Sequence, residues 1–251
     1  MEDRILAVEH VSVSYRKSNR TPFAKDRKVQ ILKDVSFEMK EGEILGLVGE
    51  SGCGESTLAK AILNLIPYTG EIQHFSQNPQ MVFQDPYGSL NPSKKIGWIM
   101  EEPLRLARGT EFAGEGHEKR MERVAQMLNK VGLDEKLAER YPNQLSGGQR
   151  QRVCIGTALM QNPKLLIADE PVSALDVTIQ AQVLDLMMKL KEEMGLSILF
   201  ISHDLRVVYK MCNRVIIMKE GQLIEKGEVD DIYFHPKEQY TKELLKSAGI
   251  F

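Results

Sequence analysis

Cysteine is scarce in this 251-residue sequence: Cys53, Cys154 and Cys212 are odd in number, far apart and form no C-x-x-C pair. That argues against a disulfide framework or a cysteine zinc site and fits a reducing compartment. Charge of one sign is also lacking, since 33 Lys and Arg stand against 35 Asp and Glu. Such a balance calls for neither nucleic acid nor an anionic bilayer, and no nucleic-acid partner is expected. Long hydrophobic runs are absent. Stretches such as Ile44–Val48 and Ile198–Ile201 are strand-length, far below the ~20 residues of a membrane-spanning helix. The N-terminus, Met1-Glu2-Asp3-Arg4, is acidic and has no apolar stretch of a secretion signal. Any membrane role is therefore expected to come through a partner. What is present is enough apolar material, 42% of residues, to bury a core. The length suits one large α/β domain or a core with a smaller inserted subdomain.

Along the chain the apolar period changes repeatedly. Leu6–Tyr15 and Ile31–Met39 alternate and predict strands, with the polar, basic stretch Arg16–Arg27 as a loop between them. Ile44–Val48 is continuous and apolar, which predicts a buried parallel strand. From Ser56 the positions Leu58, Ala59, Ile62, Leu63 and Ile66 have helical spacing, stopped by Pro67. Gln80–Phe83 predicts a short strand, and Asp85–Pro92 is rich in turn residues. Ile96–Leu106 and His117–Val131 predict helices, joined by a charged, solvated connection over Gly109–Lys119. Strand and helix then alternate: Leu165–Ala168, Thr178–Met194 and Ser197–Ser202. A hairpin, Arg214–Lys219 with Gln222–Lys226, turns at Glu220-Gly221, and a helix over Lys237–Lys246 closes the chain. Alternation of this kind predicts a mainly parallel sheet with helices on both faces. The helix-rich middle, roughly Pro86–Gly156, predicts an inserted helical subdomain.

The stretch Gly49-Glu50-Ser51-Gly52-Cys53-Gly54-Glu55-Ser56-Thr57 lies between the buried strand and a helix. Glycines there let backbone N–H groups turn inward, and the helix start adds partial positive charge, as a phosphate loop needs. The Ser56 hydroxyl is placed to ligate Mg²⁺. The phosphate-loop pattern fails at one position, because Glu55 stands where a lysine belongs. Taken alone, the stretch leaves open a Gly-rich turn that binds nothing. Other residues point the same way as the loop. Leu165–Ala168 ends in Asp169 and Glu170: the first can hold Mg²⁺ through water, the second can orient or deprotonate an attacking water, the plainer alternative being an ordinary acidic loop after a strand. Gln84 ends another strand and can reach the metal or that water. His203 follows the Ser197–Ser202 strand and can contact a γ-phosphate; a lone histidine is more often structural, but one at the end of a core strand is less easily read that way. Tyr15 can stack on a purine, although a packed strand tyrosine is the plainer reading.

Leu145-Ser146-Gly147-Gly148-Gln149, running through Arg150-Gln151-Arg152 into a helix, resembles the signature motif of ABC transporter ATPases. Ser173-Ala174-Leu175-Asp176 is similar to their D-loop, and Gln84 sits where their Q-loop glutamine stands. The motifs come in family order and span essentially the whole chain. The resemblance implies an α/β, RecA-like P-loop NTPase core with a mainly parallel sheet, an N-terminal antiparallel β subdomain and an inserted α-helical subdomain. Its boundaries would be 1–85 and 157–251 for the core and 86–156 for the insertion. It implies ATP and Mg²⁺ as cofactors, with Gly49 to Thr57 on the phosphates and Tyr15 on adenine. Ser56, Gln84 and Asp169 would lie at the metal, with Glu170 as base and His203 as γ-phosphate sensor. In a head-to-tail dimer, Ser146, Gly147, Gly148 and Gln149 of one ATPase would complete the site of the other. Permease subunits, a second ABC ATPase and, indirectly, a substrate-binding protein are the implied partners, at the cytoplasmic membrane face.

Two segments narrow the resemblance. Gln84–Pro92 and Glu170–Val177 look like ATPases of oligopeptide, dipeptide and nickel importers. His235-Pro236 with Tyr240–Leu245 resembles their C-terminal sequence, with Lys237-Glu238-Gln239 intervening. The sequence ends at Phe251 without the longer, sometimes cysteine-bearing extension of many peptide-type members, which leans the expectation towards nickel-type ones. Two other readings compete: a soluble ABC protein of DNA repair or translation, and a nucleotide-binding regulator that does not hydrolyse ATP, for which Glu55 speaks.

Overall fold

The computed structural model describes residues 4–17, 27–107 and 111–250. The first elements are β1 (Arg4–Lys17), β2 (Arg27–Lys40), β3 (Ile44–Gly49), α1 (Glu55–Ile62), β4 (Thr69–His74) and β5 (Gln80–Val82). Then come α2 (Pro86–Ser89), α3 (Ile96–Leu106), α4 (His117–Lys130), α5 (Gly147–Leu159), β6 (Leu165–Asp169) and α6 (Val177–Met194). The chain closes with β7 (Ser197–Ile201), α7 (Leu205–Met211), β8 (Arg214–Lys219), β9 (Gln222–Glu228), α8 (Val229–Phe234) and α9 (Gln239–Ser247). They fall into two compact units, residues 1–76 with 197–251 and residues 77–196. Residues 86–156, the expected helical insertion, lie within the second. Among the described residues no helix is long and apolar enough to cross a membrane.

In the first unit, β3 is buried at all six positions. It pairs in parallel with β7, Ile44 opposite Ile198 and Leu47 opposite Ile201, and with β8, Gly49 opposite Met218. A strand covered on both faces needs no polar alternation, which is why its sequence is a continuous apolar run. Leu45, Leu47, Ile198, Leu199, Phe200, Ile216 and Ile217 are all essentially inaccessible, and each such side chain contributes about 1.5–3 kcal/mol. β9 adds antiparallel to β8. β1 pairs antiparallel with β2 on one side and β4 on the other, forming a separate three-stranded sheet.

Two turns in this unit carry mechanical weight. Helix α1 ends at Ile62, short of Pro67, because Asn64 takes a left-handed conformation (φ 55°). The Asn64 N–H donates to the Ala61 carbonyl and Leu65 N–H to that of Lys60, both at 2.9 Å. This pair of bonds is the Schellman stop, with Asn in the place glycine usually takes. The β8–β9 hairpin turns at Glu220 and Gly221, both at positive φ (47° and 79°), the twist that suits two-residue hairpins. Gly221 N–H donates to the Cys53 carbonyl and Lys33 N–H to the Gly221 carbonyl, each at 2.8 Å. A Cβ on Gly221 would sit 1.9 Å from the Ile31 carbonyl oxygen, so only glycine fits.

In the second unit, β5 and β6 pair in parallel, Val82 opposite Ala168, beside helices α2 to α6. Asp176 caps α6 by accepting from Ile179 N–H at 3.0 Å. Gly195 ends that helix at φ 63°. The connection before α4 is not simply solvated. Phe112 is buried at 2% exposure, with the Arg123 guanidinium 4.7 Å from its ring centre. Glu115 accepts from Arg123 at 2.7 and 2.8 Å and from Lys119 at 2.9 Å.

The periodicity reading holds for the strands and the long helices. It misses the one-turn α2, α7 and α8, too short to show a period, and β4, whose sequence Thr69-Gly70-Glu71-Ile72-Gln73-His74 holds a single apolar aliphatic residue. The loop expected over Arg16–Arg27 lies mostly outside the described residues; at its edges, Arg16 and Lys17 belong to β1 and Arg27 to β2.

Candidate nucleotide site

The phosphate loop spans the gap between β3 and α1. Gly52 and Gly54 have φ of 87° and 116°, which side chains rarely tolerate. A Cβ on Gly49 would lie 2.4 Å from the Cys53 sulfur and 2.6 Å from the Met218 carbonyl oxygen, so the neighbouring strand imposes glycine there. Gly54 caps α1 without a side-chain hydrogen bond. The first-turn amides of α1 are thus left to whatever anion or water faces them. A cavity of about 270 Å³ opens at this helix start, lined by Tyr15, Ile31, Gly52 and Gly54 to Thr57. Tyr15, 44% exposed at the end of β1, is thereby brought to the loop.

Glu55 is the first residue of α1. The Cys53 thiol is pushed up to about 12, first by burial and then by the Glu55 carboxylate, which hydrogen-bonds it. The carboxylate that replaces the lysine is thus engaged with the loop's own cysteine. A second cavity, of about 120 Å³, is lined by Glu50 to Cys53, Lys219, Glu220 and Tyr240. Its last three residues carry no motif that sequence reading could find: the β3–β8 register brings Lys219 and Glu220 to the loop, and the fold of the C-terminal helix brings Tyr240.

His203 follows β7 in the same unit and is exposed. The turn that carries it is fixed by the Asp204 N–H donating to Ser202 Oγ at 3.1 Å and by Asp204 capping α7 through the Arg206 N–H at 2.9 Å.

In the second unit, β6 is buried throughout and ends on Asp169, 6% exposed. Glu170 follows in a left-handed conformation (φ 46°), a strain of roughly 1–3 kcal/mol that surrounding bonds must sustain. Its carbonyl accepts from the Ser173 N–H at 3.3 Å and the Ser173 hydroxyl at 3.2 Å. The β5–β6 register carries Gln84 to the same level, and its amide nitrogen donates to the Glu170 carboxylate at 2.7 Å. The structure therefore joins Gln84 and Glu170 directly.

Ser146 caps α5. Its hydroxyl accepts from Gln149 N–H at 3.3 Å, and the Gln149 side chain accepts from Ser146 N–H at 3.0 Å, a closed capping box. A Cβ on Gly148 would lie 2.5 Å from Ile179 Cγ2, so this glycine lets α5 approach α6. Arg150, buried, donates to the Pro142 carbonyl at 2.6 Å and lies 4.0 Å from the Tyr87 ring centre.

No cluster of three His, Cys, Asp or Glu side chains able to hold a metal occurs among the described residues. The Ser56 hydroxyl, Gln84 amide oxygen and Asp169 carboxylate are hard oxygen donors, which suit Mg²⁺ arriving with a polyphosphate.

A buried parallel strand, a glycine-rich loop at a helix start and a cavity lined by that loop define the class: an α/β P-loop nucleoside triphosphatase fold with an antiparallel N-terminal sheet. Residues 32–173 match the family model described as ABC transporter. The chain is 45% identical, over 99% of its length and 79% of the relative's, to the oligopeptide transport ATP-binding protein OppF of Haemophilus influenzae. It is 46% identical, over 90% and 71%, to the dipeptide transport ATP-binding protein DppF of Escherichia coli. Among solved structures it resembles the ATP-binding cassette MJ0796, a dimer bound to ADP and Pi, with TM-score 0.75 and 29% identity over 90% of this chain and 99% of that one. The chain belongs to the ABC transporter family, as an ATP-binding domain.

Proposed function

We propose that this chain is the ATP-binding and ATP-hydrolysing subunit of an importer for small peptides, working on permease partners. The observation that carries the reading is the glycine-rich loop that lines a cavity together with Tyr15. The names of the relatives, oligopeptide and dipeptide transport, favour peptides over nickel complexes. Tyr15 stacks on the adenine, and the amides of Gly49 to Thr57 hold the phosphates. Ser56, Gln84 and Asp169 would hold Mg²⁺, which would supply Lewis-acid polarisation of the phosphate oxygens. Glu170 takes the proton of the attacking water, with Gln84 orienting it, and His203 contacts the γ-phosphate. Residues 86–156 act as the helical subdomain. Its capped Ser146–Gln149 turn serves the site of a second ATPase, while the one-turn α2 and its flanks, 85–92, meet a permease. The location that follows is the cytoplasmic membrane face, peripheral.

Glu55 favours a second reading, a nucleotide-binding subunit with little turnover of its own. A unit charge pair at ~4 Å and an effective dielectric of ~20 is worth ~4 kcal/mol. Exchanging attraction for repulsion there weakens MgATP binding, less the part the side chain avoids by turning to Cys53. The purified chain is expected to hydrolyse ATP near background, with both binding and turnover recovered in Glu55→Lys. Robust turnover by the Glu55 protein refutes the impairment; a Glu55→Lys protein that binds no nucleotide refutes the function itself.

A further inference from the structure

The loop's electrostatics do not end at Glu55. In the β3–β8 pairing Met218 stands opposite Gly49. The next residue on β8, Lys219, therefore comes level with Glu50, where the loop begins. The backbone carrying Lys219 cannot drift, because the adjoining turn is tied to the loop at Cys53 and to β2 at Lys33. The Lys219 ammonium lies 4.3 Å from the ring centre of Tyr240, a residue of α9. It is the sole cation among the described residues lining the two cavities of the loop, which carry the carboxylates of Glu50, Glu55 and Glu220. Burial first, and then the charges of Glu50 and Glu55, push the Tyr240 hydroxyl up, against a Glu50 backbone hydrogen bond that pulls it down. Both carboxylates thus lie within electrostatic reach of the seat that holds the ammonium.

We propose that Lys219, seated on the Tyr240 ring and fixed by the β8–β9 hairpin, is a positioning residue that offsets the acidic charge of this phosphate loop and keeps it receptive to a polyphosphate. Gly52 lines both cavities, so the ammonium acts across the thickness of one loop. It does not replace the phosphate-contacting lysine. It lowers the negative field that Glu50 and Glu55 set against an incoming nucleotide, and the ring holds it without neutralising it. The inference rests on the nucleotide-binding reading, and its test separates the two.

The test compares the unaltered chain with Lys219→Gln, Lys219→Arg, Glu55→Lys and the double variant Glu55→Lys/Lys219→Gln. Each is titrated with a fluorescent MgATP analogue and melted without nucleotide at low salt. Lys219→Gln is expected to weaken analogue binding about five- to tenfold in both backgrounds, because the fields that fixed charges set on the nucleotide add. Lys219→Arg is expected to stay within about twofold of the unaltered chain, because it keeps the charge. In the melts Lys219→Gln should lower Tm by about 2–4 °C while Glu55 is present and by under about 1 °C in the Glu55→Lys background. Unchanged analogue binding in Lys219→Gln, or melts that shift equally in both backgrounds or not at all, overturn the proposal and leave Lys219 a packing residue. If the Glu55 proteins bind too weakly to titrate, the melts decide by the same comparison. If Glu55→Lys also fails to bind, the nucleotide reading falls, and the melts still decide the coupling of Lys219 to Glu55.

Discussion

At the residue scale, the exchange of an ammonium for a carboxylate at position 55 changes the chemistry of Cys53. Burial and the adjacent Glu55 push this thiol up to about 12, and the thiolate is the nucleophile. At pH 8 the cysteine is expected to resist maleimide or iodoacetamide in the unaltered chain. Glu55→Lys removes a hydrogen-bond acceptor and a negative charge together, and should speed alkylation of Cys53 roughly tenfold, the effect of about one pKa unit. Burial persists in the variant, so the thiol stays slower than a free one. Mass-spectrometric quantification of modified Cys53 decides, and equal rates in the two proteins would show that Glu55 does not govern the thiol. The identity of the loop residues was legible in the sequence, because phosphate binding demands particular residue types at fixed spacing. The partner of Glu55 was not. A carboxylate at a helix start can cap it, face water or meet a neighbour, and only the Cys53 side chain folded beneath the loop selects among these.

At the element scale, the strands and long helices were legible because their apolar periods run for several turns or pairs. The end of α1 was misread because Pro67 is a conspicuous breaker, whereas Asn64 stops the helix earlier by a backbone conformation that few residues share. The hairpin turn was legible, but not what its tip touches. Gly221→Ala should destabilise the protein by roughly 1–3 kcal/mol, since it forces both a left-handed backbone and a contact with the Ile31 carbonyl. Urea melts read this, and a loss below about 0.5 kcal/mol would mean that the tip relaxes freely. The connection before α4 was read as solvated because it is charged. Its charges are instead gathered: the Arg123 guanidinium and Lys119 ammonium hold the Glu115 carboxyl down to about 2. The unfolded chain takes up this proton near the ordinary 4.5. The contribution of Glu115 is therefore complete above that pH and drains away as the pH falls towards about 2. Arg123→Gln should lower stability at pH 6 and narrow its difference from the unaltered chain at pH 3. A gap of equal size at both pH values would assign the loss to the Arg123–Phe112 contact instead.

At the scale of the whole molecule, the order of motifs made the family legible, since strand, loop, signature turn and acidic strand end recur in one sequence. The edges of the discontinuous unit and the internal one depend on contacts between distant segments, which a reading along the chain does not register. Glu55 also bears on global stability. Without nucleotide, a carboxylate at the start of α1 meets the partial positive charge of the helix end, worth roughly 0.3–1 kcal/mol, and a lysine there is repelled. The Glu55 protein should melt slightly above Glu55→Lys in nucleotide-free buffer at low salt. Saturating MgATP should reverse the order, since a ligand stabilises only the state that binds it. A lysine variant that is the more stable without any ligand would contradict this. The same loop is tethered through Gly221, whose N–H is held by Cys53 and whose carbonyl holds the Lys33 N–H. A single residue at the hairpin tip thus splices the loop to β2. The loop cannot retreat without uncovering the Gly221 amide, nor the hairpin lift without uncovering that of Lys33. Exchange of these two amides with deuterium then distinguishes a loop that breathes alone, which frees only the first, from a hairpin that detaches, which frees both.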